Sequence, residues 1–164
     1  MTTVYRRGAV GAMMDEYERA AAELSRLVDG LTDLEFEAVR DRETSDDACR
    51  SIQTVLNHVV RAGYGYASQI REAFGAGAQR PEVTLGTRRE SLAQLAEMLA
   101  YTVRTLEDRW LLTDDEIMAV RIHARWGPMY DLEQWLEHAI VHVLRHRRQI
   151  ERFLSEPQFR PSAA

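Results

Sequence analysis

Helical periodicity is the feature that most constrains the fold of this chain. In four segments the apolar residues recur every three or four positions, which is the spacing of one face of an α-helix, and no stretch of comparable length alternates like a β-strand. The segments cover residues 11–28, 51–74, 87–110 and 131–154 of the 164 in the chain. This pattern predicts an all-α protein built as a four-helix bundle.

Capping signals mark where the helices begin. Thr87 with Glu90, and Asp131 with Gln134, have the spacing of a capping box, and Ser51 is an N-cap residue type. The same pattern occurs in the two long connections, where it predicts a short helical turn in each. Those pairs are Thr32 with Glu35, and Thr113 with Glu116.

The lengths of the connections predict the topology. About 12 residues join the second segment to the third, whereas the other two connections are longer, at residues 29–49 and 113–130. A short loop joins antiparallel neighbours and a long one can cross the bundle. We therefore predict an up-up-down-down bundle with two long crossover connections, in which the second and fourth helices are antiparallel. An up-down-up-down bundle is the alternative. We expect one domain over residues 1–156 and a disordered tail over 157–164.

Composition excludes several classes of function. The net charge of −5 argues against a nucleic-acid surface, which needs a basic face. All 21 basic residues are arginine, which excludes Schiff-base lysines and P-loops. The apolar runs are too short for a membrane span, the first residues lack a secretion signal, and the single Cys49 fits a reducing compartment. We expect a cytoplasmic protein with no nucleic-acid or membrane partner.

The histidines are the candidate functional residues. Three of the five lie in the fourth segment at His138, His142 and His146. Residues four apart share a helix face, so two imidazoles of this series can converge on one metal ion at about 2.0–2.1 Å. A His-x-x-x-His pair is also common on helices that bind no metal.

The position of each histidine on its helix narrows the choice. His142 and His146 lie at the edge of the apolar face, while His138 points further toward solvent. His58 lies on a flank of the second segment, and it reaches the level of the pair if the second and fourth helices are antiparallel. His123 and His138 are expected to be surface or connector residues. The candidate ligands of one divalent ion are therefore His58, His142 and His146.

Two stretches resemble a known family. They are Ser-Ile-Gln-Thr-Val-Leu-Asn-His58-Val-Val-Arg-Ala and Leu-Glu-His138-Ala-Ile-Val-His142-Val-Leu-Arg-His146-Arg-Arg-Gln149. Together with Trp126-Gly127-Pro128, they resemble the DinB-like four-helix metalloproteins. The resemblance implies three metal ligands, one histidine on the second helix and a pair on the fourth, which here are His58, His142 and His146. It also implies an up-up-down-down bundle and a homodimer. Arg148 stands where the family has glycine.

The resemblance implies a function as well. Members of known activity include thiol S-transferases that use bacillithiol or mycothiol, and a mycothiol-dependent maleylpyruvate isomerase. The chain is thus expected to be a metal-dependent thiol S-transferase, or a related metal-activated transferase or hydrolase. Its expected cofactor is zinc or nickel, and its substrates a small electrophile and a low-molecular-weight thiol. The alternative is a non-catalytic, dimeric, stress-associated metal-binding protein. A pocket that opens over the metal would distinguish the two.

Few other residues are candidates for a metal-binding or catalytic role. A di-iron site is excluded because no histidine has Glu three residues before it. Cys49 is expected to be a small buried residue, and no Ser-His-Asp set is evident. Asn57 and Glu137 adjoin candidate ligands and are weak candidates for groups that orient them. Catalytic residues other than the metal ligands are not identified.

Overall fold

Four long helices make up most of the computed structural model, which describes residues 4–157. They are α1 (Gly8–Asp29), α3 (Ile52–Ala73), α4 (Arg88–Leu106) and α6 (Leu132–Ser155). Two short helices, α2 (Asp33–Glu37) and α5 (Asp114–Ala119), lie in the two long connections. The predicted all-α class is confirmed. The third predicted helix ends earlier than expected, because 3₁₀ geometry replaces α-helix at Glu107–Arg109.

The remaining regular elements are small. A 3₁₀ turn at Asp47–Cys49 precedes α3. Strands β1 (Ile122–His123) and β2 (Met129–Tyr130) pair antiparallel, with Ile122 opposite Tyr130. This hairpin leads directly into α6.

The predicted caps are confirmed. Ser51 caps α3 and accepts a hydrogen bond from the Thr54 amide. Ser51 and Thr54 form a capping box there, and the four predicted boxes open α2, α4, α5 and α6, with Thr32, Thr87, Thr113 and Asp131 as the respective N-caps. Each box satisfies backbone N–H groups that would otherwise lack partners at a helix start.

The core lies between the four long helices. Around the bundle, α1 packs against α4 and α6, and α3 packs against the same two helices. The largest fully buried side chains come from α1, α2, α3, α4 and α6. They include Trp135, Tyr17, Phe36, Phe153, Met14, Leu56 and Met98.

Contacts between helix ends give the helix directions. Arg88 at the start of α4 pairs with Asp29 at the end of α1, so these two helices are antiparallel. Near the starts of both α3 and α4, the Gln53 amide donates to the Gly86 carbonyl at 2.9 Å. Beyond their ends, the Arg109 guanidinium lies 4.2 Å from the Phe74 ring centroid, so α3 and α4 are parallel.

The fourth helix completes the arrangement. His58 early in α3 lies beside His146 late in α6, and Tyr66 late in α3 lies beside Trp135 early in α6. These two helices are therefore antiparallel, as predicted. In chain order the long helices run up, down, down, up. The predicted up-up-down-down order is wrong, and so is the up-down-up-down alternative.

The segment between α3 and α4, residues 74–87, explains why the observed helix order differs from the predicted one. This crossover segment runs back along α3, held where the Arg80 guanidinium donates to the Arg61 carbonyl and the Asn57 amide donates to the Thr84 carbonyl. Fourteen extended residues reach about 46 Å, whereas a 22-residue helix is about 33 Å long. A connection that looked short is therefore long enough to return the chain to the same end of the bundle.

Two other features bear on the sequence predictions. Within residues 4–157, no helix is both long enough and apolar enough to span a membrane. Of the predicted tail at 157–164, residues 158–164 lie outside the described residues.

The contact between α3 and α4 yields a stability prediction. A Cβ added at Gly63 would overlap the side chain of the fully buried Met98. Overpacking of this kind costs about 1–3 kcal/mol, and the gain in helix propensity of about 1 kcal/mol offsets part of it. We expect Gly63→Ala to lower the free energy of unfolding by up to about 2 kcal/mol, measured by urea denaturation.

Gly65, two residues later on α3, is the matched control. A Cβ there would lie 3.7 Å from the Arg80 guanidinium carbon, an ordinary contact. Gly65→Ala should raise the free energy of unfolding by up to about 1 kcal/mol. Equal effects of the two substitutions would contradict the close packing of α3 on α4.

Candidate metal centre

Three histidines meet where α3 packs on α6. The Nε2 atoms of His58 and His142 are 3.0 Å apart, and the His146 ring centroid lies 4.9 Å from that of His58 and 4.5 Å from that of His142. One ring nitrogen from each residue lies within 4.8 Å of the other two. A tetrahedral zinc ion with bonds of about 2.05 Å separates its ligand nitrogens by about 3.3 Å. The cluster therefore has dimensions that suit a metal ion.

A second pair of contacts sets the register of the two helices. Toward the end of α3, the Trp135 indole N–H donates to the Tyr66 carbonyl at 3.2 Å, and the two rings meet edge to face at 5.0 Å. Tyr66 also meets the ring of His142 edge to face at 5.8 Å. The aromatic packing thus continues directly into the histidine cluster and places His58 level with the pair on α6.

Burial and mutual repulsion keep the three rings neutral. Desolvation lowers the pKa of His142 to about 3, with further lowering by the nearby His146 and His58. Desolvation also lowers the pKa of His58 and of His146. A neutral imidazole is the form that binds a metal ion, so the free protein already holds the rings in their ligating state at neutral pH.

Gln149 orients one ring of the cluster. The Nδ1–H of His146 donates to the Gln149 Oε1 at 2.8 Å, which leaves Nε2 of that ring free to bind a metal. His146 is also the most buried of the three, at 7% exposed. The role of Gln149 was not predicted, although its position three residues after His146, on the same helix face, was a usable signal.

Cys49 lies near the cluster without joining it. Its thiol donates to the Asp46 carboxylate at 3.4 Å and also contacts the Gln149 side chain. Burial is the largest of the effects that raise the pKa of this thiol, so it stays protonated at neutral pH. This agrees with the expectation that Cys49 is neither a ligand nor a nucleophile, although the residue is only half-buried.

A cavity of about 550 Å³ opens onto the cluster. His58 and His142 form part of its wall. Its aromatic lining comes from α3, the β-hairpin and α6, and consists of Tyr66, Trp126, Trp135 and His138. Three arginines, Arg80, Arg125 and Arg145, also line it. The histidine cluster is therefore open to a small molecule on one side.

The other two histidines stand apart from the cluster. His138 was predicted to point toward solvent, but it is half-buried in the cavity wall, with its ring stacked on Trp126 at 5.2 Å. The aromatic side chains of the hairpin and of α6 cover it, which helical periodicity alone does not reveal. His123 is exposed, as predicted.

The weak candidates for orienting groups have other contacts. Glu137 is exposed and lies in a groove between α6 and α1. Asn57 donates to the Thr84 carbonyl and so fastens the crossover segment. Arg148, which replaces the family's glycine, is exposed on α6 and is not part of the cavity wall.

Comparison with known proteins agrees with the fold and with the cluster. No match to the chain was found among curated proteins. The family model of the DinB superfamily matches residues 16–150. That range contains α3 and α4 in full, most of α1 and α6, and all three clustered histidines. Because the match covers well over half of the chain, the protein belongs to the DinB superfamily.

Proposed function

We propose that this protein is a metal-dependent enzyme of the thiol S-transferase type. In this proposal His58, His142 and His146 hold one divalent ion, zinc or nickel, and the cavity admits a small electrophile and a low-molecular-weight thiol. The metal-binding character follows from the family and from the three clustered histidines. A related transfer or hydrolysis reaction at the same ion is a variant of this proposal.

The open cavity is the observation that supports catalysis. Structural zinc sites are closed by four protein ligands, whereas catalytic sites keep a position free beside three. Within residues 4–157, the cluster comprises three histidines and no fourth ligand, and the cavity wall includes two of them. A non-catalytic metal protein would have no need of such a cavity, so the alternative is less well supported.

The residues of the chain have separate tasks in this mechanism. A bound divalent ion supplies positive charge that favours the deprotonated form of a thiol or of water. Gln149 fixes the tautomer of His146, and the neutral rings leave the charge of the ion undiminished. The wall formed by Tyr66 and Trp135 excludes water from one side of the cluster. This exclusion strengthens the electrostatic interactions within the cavity.

The resemblance also implies a homodimer, which we propose here. The groove between α1 and α6 presents apolar surface for such contacts, including Val141, which is 51% exposed. We further propose a cytoplasmic location, since the one thiol has no disulfide partner in the chain.

The ligand assignment predicts the effect of two substitutions one helical turn apart. His142→Ala should abolish stoichiometric binding of zinc or nickel, because two imidazoles on separate helices chelate poorly. His138→Ala should leave the metal content nearly unchanged, since that ring stacks on Trp126 outside the cluster. Metal analysis of protein purified without an affinity tag measures both, and circular dichroism checks the fold.

Two results would contradict the assignment. Loss of the ion in the His138 variant with retention in the His142 variant would place the site one turn away. Full occupancy in both variants would place it elsewhere in the chain.

The proposed reaction predicts metal-dependent consumption of a thiol. Purified protein loaded with zinc or nickel should accelerate the disappearance of free thiol in the presence of a panel of electrophiles. The chelated protein and the His142→Ala variant should show only the uncatalysed rate. The assay follows residual thiol with a colorimetric reagent. A metal-loaded protein that accelerates no member of the panel would favour the non-catalytic alternative.

The lowered pKa values of the histidines predict how metal binding depends on pH. Protons compete with a metal ion for the ring nitrogens of an unburied histidine near pH ~6.5. The sequence alone would therefore place the loss of metal at that pH. Burial keeps these rings neutral to lower pH, so protons displace the ion only further into the acid range. Chelator-competition titrations from neutral pH downward should show a flat affinity through ~6.5 and a loss below it. A tenfold loss already complete at pH 6 would contradict this.

A further inference from the structure

Three arginines from separate parts of the chain converge on the cavity. Arg80 comes from the crossover segment, Arg125 from the turn of the β-hairpin, and Arg145 from α6. Residues so far apart in sequence meet only through the tertiary fold. Their meeting concentrates positive charge in the wall of the cavity, in a protein whose net charge is −5.

These charges have no acidic partners within residues 4–157. Several other arginines of the chain, among them Arg6, Arg88 and Arg147, form ion pairs with carboxylates. No carboxylate of the described residues forms an ion pair with Arg80, Arg125 or Arg145. Glu72 is the one carboxylate in the cavity wall, and it too makes none.

The arginines also repel one another. The pKa of Arg80 is lowered by burial, and further by the charges of Arg61 and Arg125. Arg145 acts on the cluster itself, since its charge lowers the pKa of His58 and of His142. All three side chains are solvent-exposed, so water and salt screen part of this repulsion. An anion bound among them would relieve that repulsion.

Arg80 and the histidine cluster lie at different places along the cavity wall. The guanidinium of Arg80 lies against Gly65, where no side chain obstructs it. Gly65 is seven residues from His58 on α3, which corresponds to about 10 Å along the helix. The aromatic side chains of Tyr66, Trp126 and Trp135 lie in the wall of the same cavity. The cavity volume of about 550 Å³ is in the range that encloses a small organic ligand.

We propose that this cavity selects an acidic small molecule, whose carboxylate binds Arg80 and Arg125 while its apolar part packs on the aromatic wall. The reactive end of that molecule then points to the histidine cluster, beside Arg145. This inference rests on the proposed function, because it assigns the substrate class of the same cavity. Arginine suits the task because its planar guanidinium can bind a carboxylate through two parallel hydrogen bonds.

A matched pair of probes tests the charge requirement. The probes are 4-phenylbutyrate and its neutral amide, which have the same apolar group and differ in the acid. Titrations followed by NMR on metal-free and on zinc-loaded protein give the dissociation constants. We expect the acid to bind about tenfold or more tightly than the amide, and its affinity to fall as sodium chloride is raised. Equal affinity of the two probes would overturn the proposal.

Single substitutions locate the anion site. Arg80→Gln and Arg125→Gln should each weaken the acid about tenfold and leave the amide unchanged. Arg89→Gln removes the same charge from an exposed position on α4, and it should change neither affinity. Circular dichroism and zinc content should match the unsubstituted protein in all three variants. Unchanged affinity for the acid in both cavity variants would overturn the proposal.

Inorganic phosphate distinguishes an acidic organic ligand from a general anion site. Phosphate lacks an apolar group, so it should displace the acid probe only at concentrations well above the probe's own dissociation constant. Displacement at equal concentration would overturn the assignment to a carboxylate-bearing molecule. The measurements on metal-free protein separate the two proposals, because binding at the arginines does not require the ion. If the protein binds no metal but still binds the acid probe, the result contradicts the proposed function and leaves the proposed anion site supported.

Discussion

The antiparallel packing of α3 on α6 is the contact on which the rest of the site depends. It is fixed at two levels, by Tyr66 with Trp135 and by His58 with the pair on α6. A slip of one helical turn would move His58 about 5.4 Å along the bundle axis and separate the three rings. The buried indole hydrogen bond of Trp135 resists such a slip, because breaking it would leave a buried donor without a partner. Core packing and ligand geometry are thus set by the same interface.

Placing three imidazoles in this interface has an energetic consequence. The unfolded chain binds protons on these residues near pH ~6.5, whereas the folded chain does not, since burial lowers their pKa values. The metal-free fold therefore loses stability as the pH falls below that value. A divalent ion held as proposed would have the opposite effect, since it would bind the folded arrangement and not the dispersed histidines of the unfolded chain. The proposed ion would therefore stabilise the same interface that positions the three rings.

Much of the fold and of the histidine cluster could be predicted from local sequence. The capping boxes at Thr87 and Asp131 and the helical spacing of His142 and His146 depend on residues three or four apart, and such signals are visible in a linear sequence. The level of His58 relative to His142 and His146 could be predicted because it depends only on the second and fourth helices being antiparallel. The helix order failed because it depended on whether residues 74–87 form a loop or an extended crossover. That choice is made by hydrogen bonds to α3 from residues distant in sequence.

The crossover segment also connects the topology to the cavity. Because α3 and α4 are parallel, the chain must return along the whole length of α3 before α4 begins. That return path brings Arg80 against Gly65 in the cavity wall, where no local pattern would have placed a cation. The hairpin before α6 likewise places Arg125 and Trp126 in the wall of the same cavity. In the proposed function, the helices supply the metal ligands, while the connections between them supply the charge and the aromatic surface that would meet a substrate. If the proposed function holds, substitutions in residues 74–87 and in the hairpin turn would change substrate preference without disturbing the packing of α3 on α6.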